Sequence, residues 1–191
     1  MARDAVMTGS AKRPLRRRRP RGQGLAEFAL LAPIFFFVIF AMIELGRAVY
    51  YTQILDSAAR DGARYAVVHG FQSLCPSGPM PFSGTNICDP NGDRVIQTVM
   101  NRSIGVTDKA GSLTARVKWC DTPVQGTCGD SDPTTGQPVV CPAWSGPGDG
   151  DNNRGQLVTV CVQYAYKSIL AGLAPIPDFT ISGRATLVVN N

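Results

Sequence analysis

Three kinds of hydrophobic pattern follow one another along this chain. From Phe28 to Ile43 every residue is uncharged and nearly all are apolar. With Leu25, Ala26 and the Glu44–Tyr51 shoulder the stretch is long enough for a helix to cross a hydrocarbon core of ~30 Å. From Gly46 to His69 the pattern becomes amphipathic. Ala48, Tyr51, Leu55, Ala58, Gly62, Tyr65 and Ala66 recur at spacings of three and four, which predicts a helix continuing into water with one buried face. Asp56 and Arg60 are expected to pair on its other side. After residue 110 the period drops to two. Leu113, Ala115, Val117 and Trp119 form one set, and Val158, Val160, Val162, Tyr164 and Tyr166 a second. Phe179, Ile181, Gly183, Ala185, Leu187 and Val189 form a third. Each set alternates with polar neighbours and predicts a half-buried strand.

Between helix and strands, Val95, Ile96, Val99 and Met100 predict a second helix over about 91–104. Asp89-Pro90 would start it and Gly105 stop it. The fold class that follows is α+β: a long N-terminal helix packed on a small antiparallel sheet, with one short extra helix. Pro33 lies inside the apolar run and is expected to kink it, which membrane helices tolerate. Tyr50 and Tyr51 are placed in an interfacial aromatic belt.

Charge separates the ends. Residues 1–24 hold eight Lys/Arg against one acid, and the remainder holds eleven against thirteen, so the net +5 belongs to a short tail. Arg16–Arg19 and Arg21 stand directly before the apolar run, which keeps that end cytoplasmic. The tail has no apolar periodicity and is expected to be unstructured. A nucleic-acid surface would need basic residues on a folded face with aromatics among them, so no nucleic-acid partner is expected. A cleavable secretory signal would have to be cut near Gly46-Arg47-Ala48, where the central Arg and upstream Glu44 make a poor site. A retained anchor fits better, giving a basic leader at 1–22, a membrane helix at 23–51 and an extracytoplasmic domain at 52–191.

All six cysteines, Cys75, Cys88, Cys120, Cys128, Cys141 and Cys161, follow the apolar run in Pro- and Gly-rich sequence. This implies disulfides in an oxidising compartment. Six cysteines allow 15 pairings; the expectation is Cys75–Cys88, Cys128–Cys141 and Cys120–Cys161. No C-x-x-C pair occurs and His69 is the only histidine, so no metal and no cofactor are expected. The run Gly148 to Asn153 invites a calcium reading, but no Glu follows Glu44 to complete an EF-hand loop, and a solvated turn is preferred. No nucleophile–base set or phosphate loop is specified, so catalysis is not expected, and His69 reads as a residue complementing a helix C-terminus or lying on the surface.

Gly22, then Gln23, Gly24, Leu25 and Ala26, then Glu27-Phe28 and an apolar helix resemble the prepilin-peptidase motif of Flp-type, type IV-like pilins. The wider block over about residues 22–70 is similar to the signature of TadE-like proteins, minor pseudopilins of tight-adherence pilus systems. It includes Pro33, the Glu44-x-Gly46-Arg47-Ala48 exit and Ala58 to Ala66. The resemblance implies a type IV pilin-like fold, cleavage between Gly22 and Gln23, and Glu27 as the fifth mature residue. A new α-amine could then neutralise Glu27 of a neighbouring subunit. It also implies pilins, pseudopilins, pilus assembly proteins and a prepilin peptidase as partners. The small-residue stripe Ala58, Gly62, Ala66 suits either another helix or the protein's own sheet. The rival reading is a signal-anchored, disulfide-rich surface-binding module, motivated by the long Cys120–Gly155 connection.

Overall fold

A computed structural model of the chain describes residues 22–80, 88–103, 105–106, 113–120, 128, 141, 150–168 and 179–190. Residues 1–21 of the expected basic leader 1–22 lie outside these residues. So do Gly148 and Asp149 of the calcium reading and most of the Cys120–Gly155 connection. The elements in chain order are α1 (Gln23–Val68), α2 (Asp93–Arg102), β1 (Leu113–Cys120), β2 (Leu157–Tyr166) and β3 (Phe179–Val188). The architecture is α+β and pilin-like, a long apolar N-terminal helix with a three-stranded antiparallel sheet ordered β1-β2-β3. The chain divides into two units, Met1–Ile39 and Phe40–Asn191.

In the first unit the described residues are helical. Leu25, Phe28, Leu30, Leu31, Phe35 and Phe36 all lie exposed, and Phe28, Leu31, Ala32, Phe35 and Phe36 line an apolar groove of about 320 Å³. Pro33 stays within the helix. Its ring nitrogen has no hydrogen to give the Ala29 carbonyl four residues back.

The second unit holds the core. Tyr51, Leu55, Ala58, Ala59, Gly62, Ala63 and Ala66 form the buried face of α1. They pack with the core-facing strand positions, Val117 and Trp119 of β1, Val158, Val160 and Val162 of β2, and Ile181 and Ala185 of β3. Two glycines permit the close approach. A Cβ on Gly183 would meet the backbone of Leu55 and Asp56, and one on Gly62 would meet the Val99, Val95 and Val160 side chains. From α2, Val95 and Val99 complete the layer. Trp119 is fully buried against Gly78 and Gly92, both in the left-handed region, so the ring occupies space that side chains there would fill.

The start of α2 departs from expectation. Gly92 (φ 75°) takes the N-cap position, and Asp89 lies further back. Asp89 still serves the helix start, because its Oδ2 accepts the Arg94 N–H at 3.3 Å as well as the Ser77 hydroxyl at 2.8 Å. At the other end Ser103 caps the helix before Gly105 is reached, its N–H bonded to Val99 O and Met100 O. Asp56 and Arg60 form none of the ion pairs found among the described residues. Asp61 instead meets Arg64 at 3.9 Å and, because α2 returns alongside, Arg102 at 3.3 Å.

Strand β2 is not half-buried. Thr159 and Cys161, on its second face, are buried as thoroughly as the core-facing valines. Cys128 covers Thr159 (Sγ to Oγ1 3.2 Å), and Thr159 shares a hydrogen bond with Thr186 of β3 at 2.9 Å. Cys141 is joined to Cys161, and its carbonyl accepts the Gln163 amide at 3.2 Å. The disulfides are Cys75–Cys88, Cys120–Cys128 and Cys141–Cys161. The first is the expected pair; Cys128–Cys141 and Cys120–Cys161 are not formed. Register explains the difference. Cys120 lies opposite Leu157, whereas Cys161 lies opposite Arg116, four residues further along. That offset is about 13 Å of strand, well beyond the Cα separation a disulfide spans.

Candidate functional site

The residues that the sequence marks for processing and assembly occupy the start of α1. Gly22 forms the turn before the helix, Gln23 is its first residue, and the Gly22 carbonyl accepts the Ala26 N–H at 3.1 Å. Glu27 lies exposed one turn in, with the Gln23 side-chain amide donating to its Oε1 at 3.3 Å. Phe28 is exposed beside it. As the fifth residue of the helix, the Glu27 carboxylate lies beyond the first turn, where the helix dipole contributes little. The same charge carried to a bilayer centre would cost about 2.5–3.5 kcal/mol. Gly22, Gln23, Glu27, Phe28 and Pro33 therefore share one short exposed segment.

Ala58, Gly62 and Ala66 belong elsewhere. All three are buried in the core of their own chain. Of the two readings of this stripe the structure realises the intramolecular one, because the sheet and α2 already occupy the face that another helix would need.

At the end of the apolar stretch is a cluster that the sequence reading did not assemble. Arg47 donates to Glu44 Oε2 and to the Tyr51 hydroxyl, each at 3.4 Å. Its guanidinium lies 5.6 Å from the ring centres of both Tyr51 and Tyr166. Tyr51 packs edge-on to Tyr164 and Tyr166, so it is a core residue, and of the expected belt pair only Tyr50 is exposed. The Tyr166 hydroxyl donates to the Glu44 carbonyl at 3.4 Å, and burial pushes its pKa up to about 12. The spacing of Glu44, Arg47 and Tyr51, three and then four residues, was the available signal. The Tyr166 contact comes from the far end of the chain and had none.

His69 follows the last turn of α1. Its ring stacks on Tyr65 with centroids 3.9 Å apart, and Nδ1–H donates to the Tyr65 carbonyl at 2.9 Å. This satisfies a carbonyl at the helix end, the place expected for it.

Among the described helices, α1 is the one long and apolar enough to cross a membrane, and its most apolar window is entirely unburied. A long apolar N-terminal helix followed by a three-stranded antiparallel sheet defines the class as α+β and pilin-like. Residues 22–64 match the TadE-like protein family, a structural, non-enzymatic family associated with tight-adherence pili. The matched segment runs from the Gly22 turn through Arg64. No curated protein and no solved structure matches the chain.

Proposed function

We propose that this protein is a minor pseudopilin or accessory subunit of tight-adherence pilus assembly, acting through helix-to-helix association in the membrane. Residues 23–51 span the bilayer, the basic leader 1–22 faces the cytoplasm, and 52–191 form the outer domain. The observation that carries this reading is the contrast at the start of α1. There Glu27, held only by the neutral Gln23 amide among the described contacts, opens a helix whose flanking Phe and Leu side chains are exposed. Such a helix needs lipid or other helices around it, and its acid needs a cation. Cleavage at Gly22–Gln23 would create a cation at the right level, the α-amine of a neighbouring subunit. The groove lined by Phe28, Leu31, Ala32, Phe35 and Phe36 would receive a knob from that neighbour.

Co-expression with pilus components, followed by purification from detergent-solubilised membranes, tests the reading. Wild type should retain pilus partners and begin at Gln23 on N-terminal sequencing. Glu27→Gln should keep the protein in the membrane while partner recovery falls at least tenfold. Equal recovery by Glu27→Gln would remove the charge mechanism. A mature protein beginning near Val49 would remove the anchored pseudopilin altogether.

A further inference from the structure

The Arg47 cluster places one end of the sheet beside the charged end of the apolar stretch. Glu44 is the first charged residue after Phe28–Ile43, and the Tyr166 hydroxyl bonds its carbonyl at 3.4 Å. Phe179, paired with Tyr166 across the β2–β3 ladder, lays its ring on Tyr166 at 4.8 Å. Further along α1, Leu55 meets Gly183 and Gly62 meets Val160. The helix thus advances along the strands away from the Tyr166–Phe179 end.

The surface at this end is amphipathic in a particular way. On the strands Phe179 is about half exposed and Lys167 and Thr180 are exposed; on α1, just past Glu44 and Arg47, Val49 and Tyr50 are about half exposed, with the Tyr50 hydroxyl turned toward Gly105. Arg47 is partly exposed, its stem held over two tyrosines and its charge shared with Glu44. Aromatic rings with a polar edge, interleaved with Lys and Arg, are what the boundary between acyl chains and headgroups selects.

We infer that the Tyr166–Phe179 end of the sheet rests in the phospholipid headgroup layer, making the outer domain a peripheral lipid contact as well as the extension of an anchor. The occupant is the lipid surface because the face is continuous with the exit of a membrane helix and offers both acyl-compatible rings and phosphate-compatible cations. Lys167 and Arg47 supply the cations; Tyr50 and Phe179 supply the rings. The inference rests on residues 23–51 spanning the bilayer.

The test uses the full-length protein in phosphatidylcholine–phosphatidylglycerol vesicles with brominated acyl chains. Tryptophan is introduced as Phe179→Trp, as Thr180→Trp at the same level, and as Val188→Trp nine residues along β3, about 30 Å away by strand rise. Resistance to alkaline carbonate extraction reports the span independently. The expected result is that the added emission of Phe179→Trp and Thr180→Trp is quenched several-fold more than that of Val188→Trp. If the protein resists extraction while all three positions are quenched equally weakly, the lipid contact is overturned and the span stands. A blue-shifted but unquenched signal at 179 means that protein covers this face, which also overturns it. If carbonate releases the protein, the span reading fails and this inference fails with it.

Discussion

The two halves of α1 have the same backbone and opposite surroundings. Over Leu25–Ile43 large side chains point outward in every direction, and none belongs to the core. Over Tyr51–Ala66 the large residues give way to Ala and Gly, and seven positions on one face are buried. A helix apolar all round needs an apolar solvent or a partner, whereas a helix with a narrow small-residue face needs only a sheet pressed close to it. Continuous helix formation therefore says little about environment. Side-chain size around the circumference says much more.

The largest expected effect comes from equivalent truncations in the two halves. Leu55→Ala empties a fully buried position and should destabilise the outer domain by about 2–5 kcal/mol. Leu31→Ala, at an exposed position, should stay within about 0.5 kcal/mol. Urea unfolding in detergent, followed by tryptophan fluorescence, reads both. Comparable losses for the two would dissolve the distinction between the halves.

A smaller effect, with opposite signs, follows from adding one methyl group to each of two glycines of the same helix. In Gly62→Ala the new Cβ enters the space of the Val99 side chain and should cost about 1–3 kcal/mol. In Gly46→Ala nothing lies within reach, and the change should stabilise the helix by up to ~1 kcal/mol. Thermal unfolding of the two variants gives the sign directly.

The smallest effect is confined to alkaline pH. Burial raises the Tyr166 pKa from 10.0 to about 12, so the folded state holds this proton more tightly than the unfolded chain does. The stabilising contribution is complete below pH 10 and declines as pH rises toward 12. Unfolding midpoints of wild type should fall through that window. Tyr166→Phe, which cannot ionise, should show a shallower decline; an unchanged slope would place the Tyr166 hydroxyl in water.

Much of the fold was legible before any coordinates. The strands follow from uninterrupted alternation at Leu113–Trp119, Val158–Tyr166 and Phe179–Leu187, where a period of two has no other inexpensive explanation. The buried face of α1 followed from the spacing of Tyr51, Leu55, Ala58, Gly62 and Ala66. Cys75–Cys88 was legible as a local closure; the partners of the other four cysteines were not, because their pairing depends on which residues face each other across β1 and β2, and local sequence does not encode register. The second buried face of β2 was hidden for a related reason: Thr159 and Gln163 look solvated until Cys128 and Cys141 are brought over them. At the start of α2, Asp89 carried the right chemistry, but a glycine in the left-handed region took the cap, leaving the carboxylate to bridge Ser77 and Arg94.

By itself the order of residues determined the membrane-length helix, the glutamate near its start and the strand periods, because each depends on neighbours within a few turns. Tertiary structure decided that the protein's own sheet and α2, rather than another helix, cover Ala58, Gly62 and Ala66, and that Tyr166 reaches Glu44. Each of those outcomes depends on segments far apart in the chain meeting at ångström separation. Steric fit between a helix and a sheet settles that, and no local pattern records it.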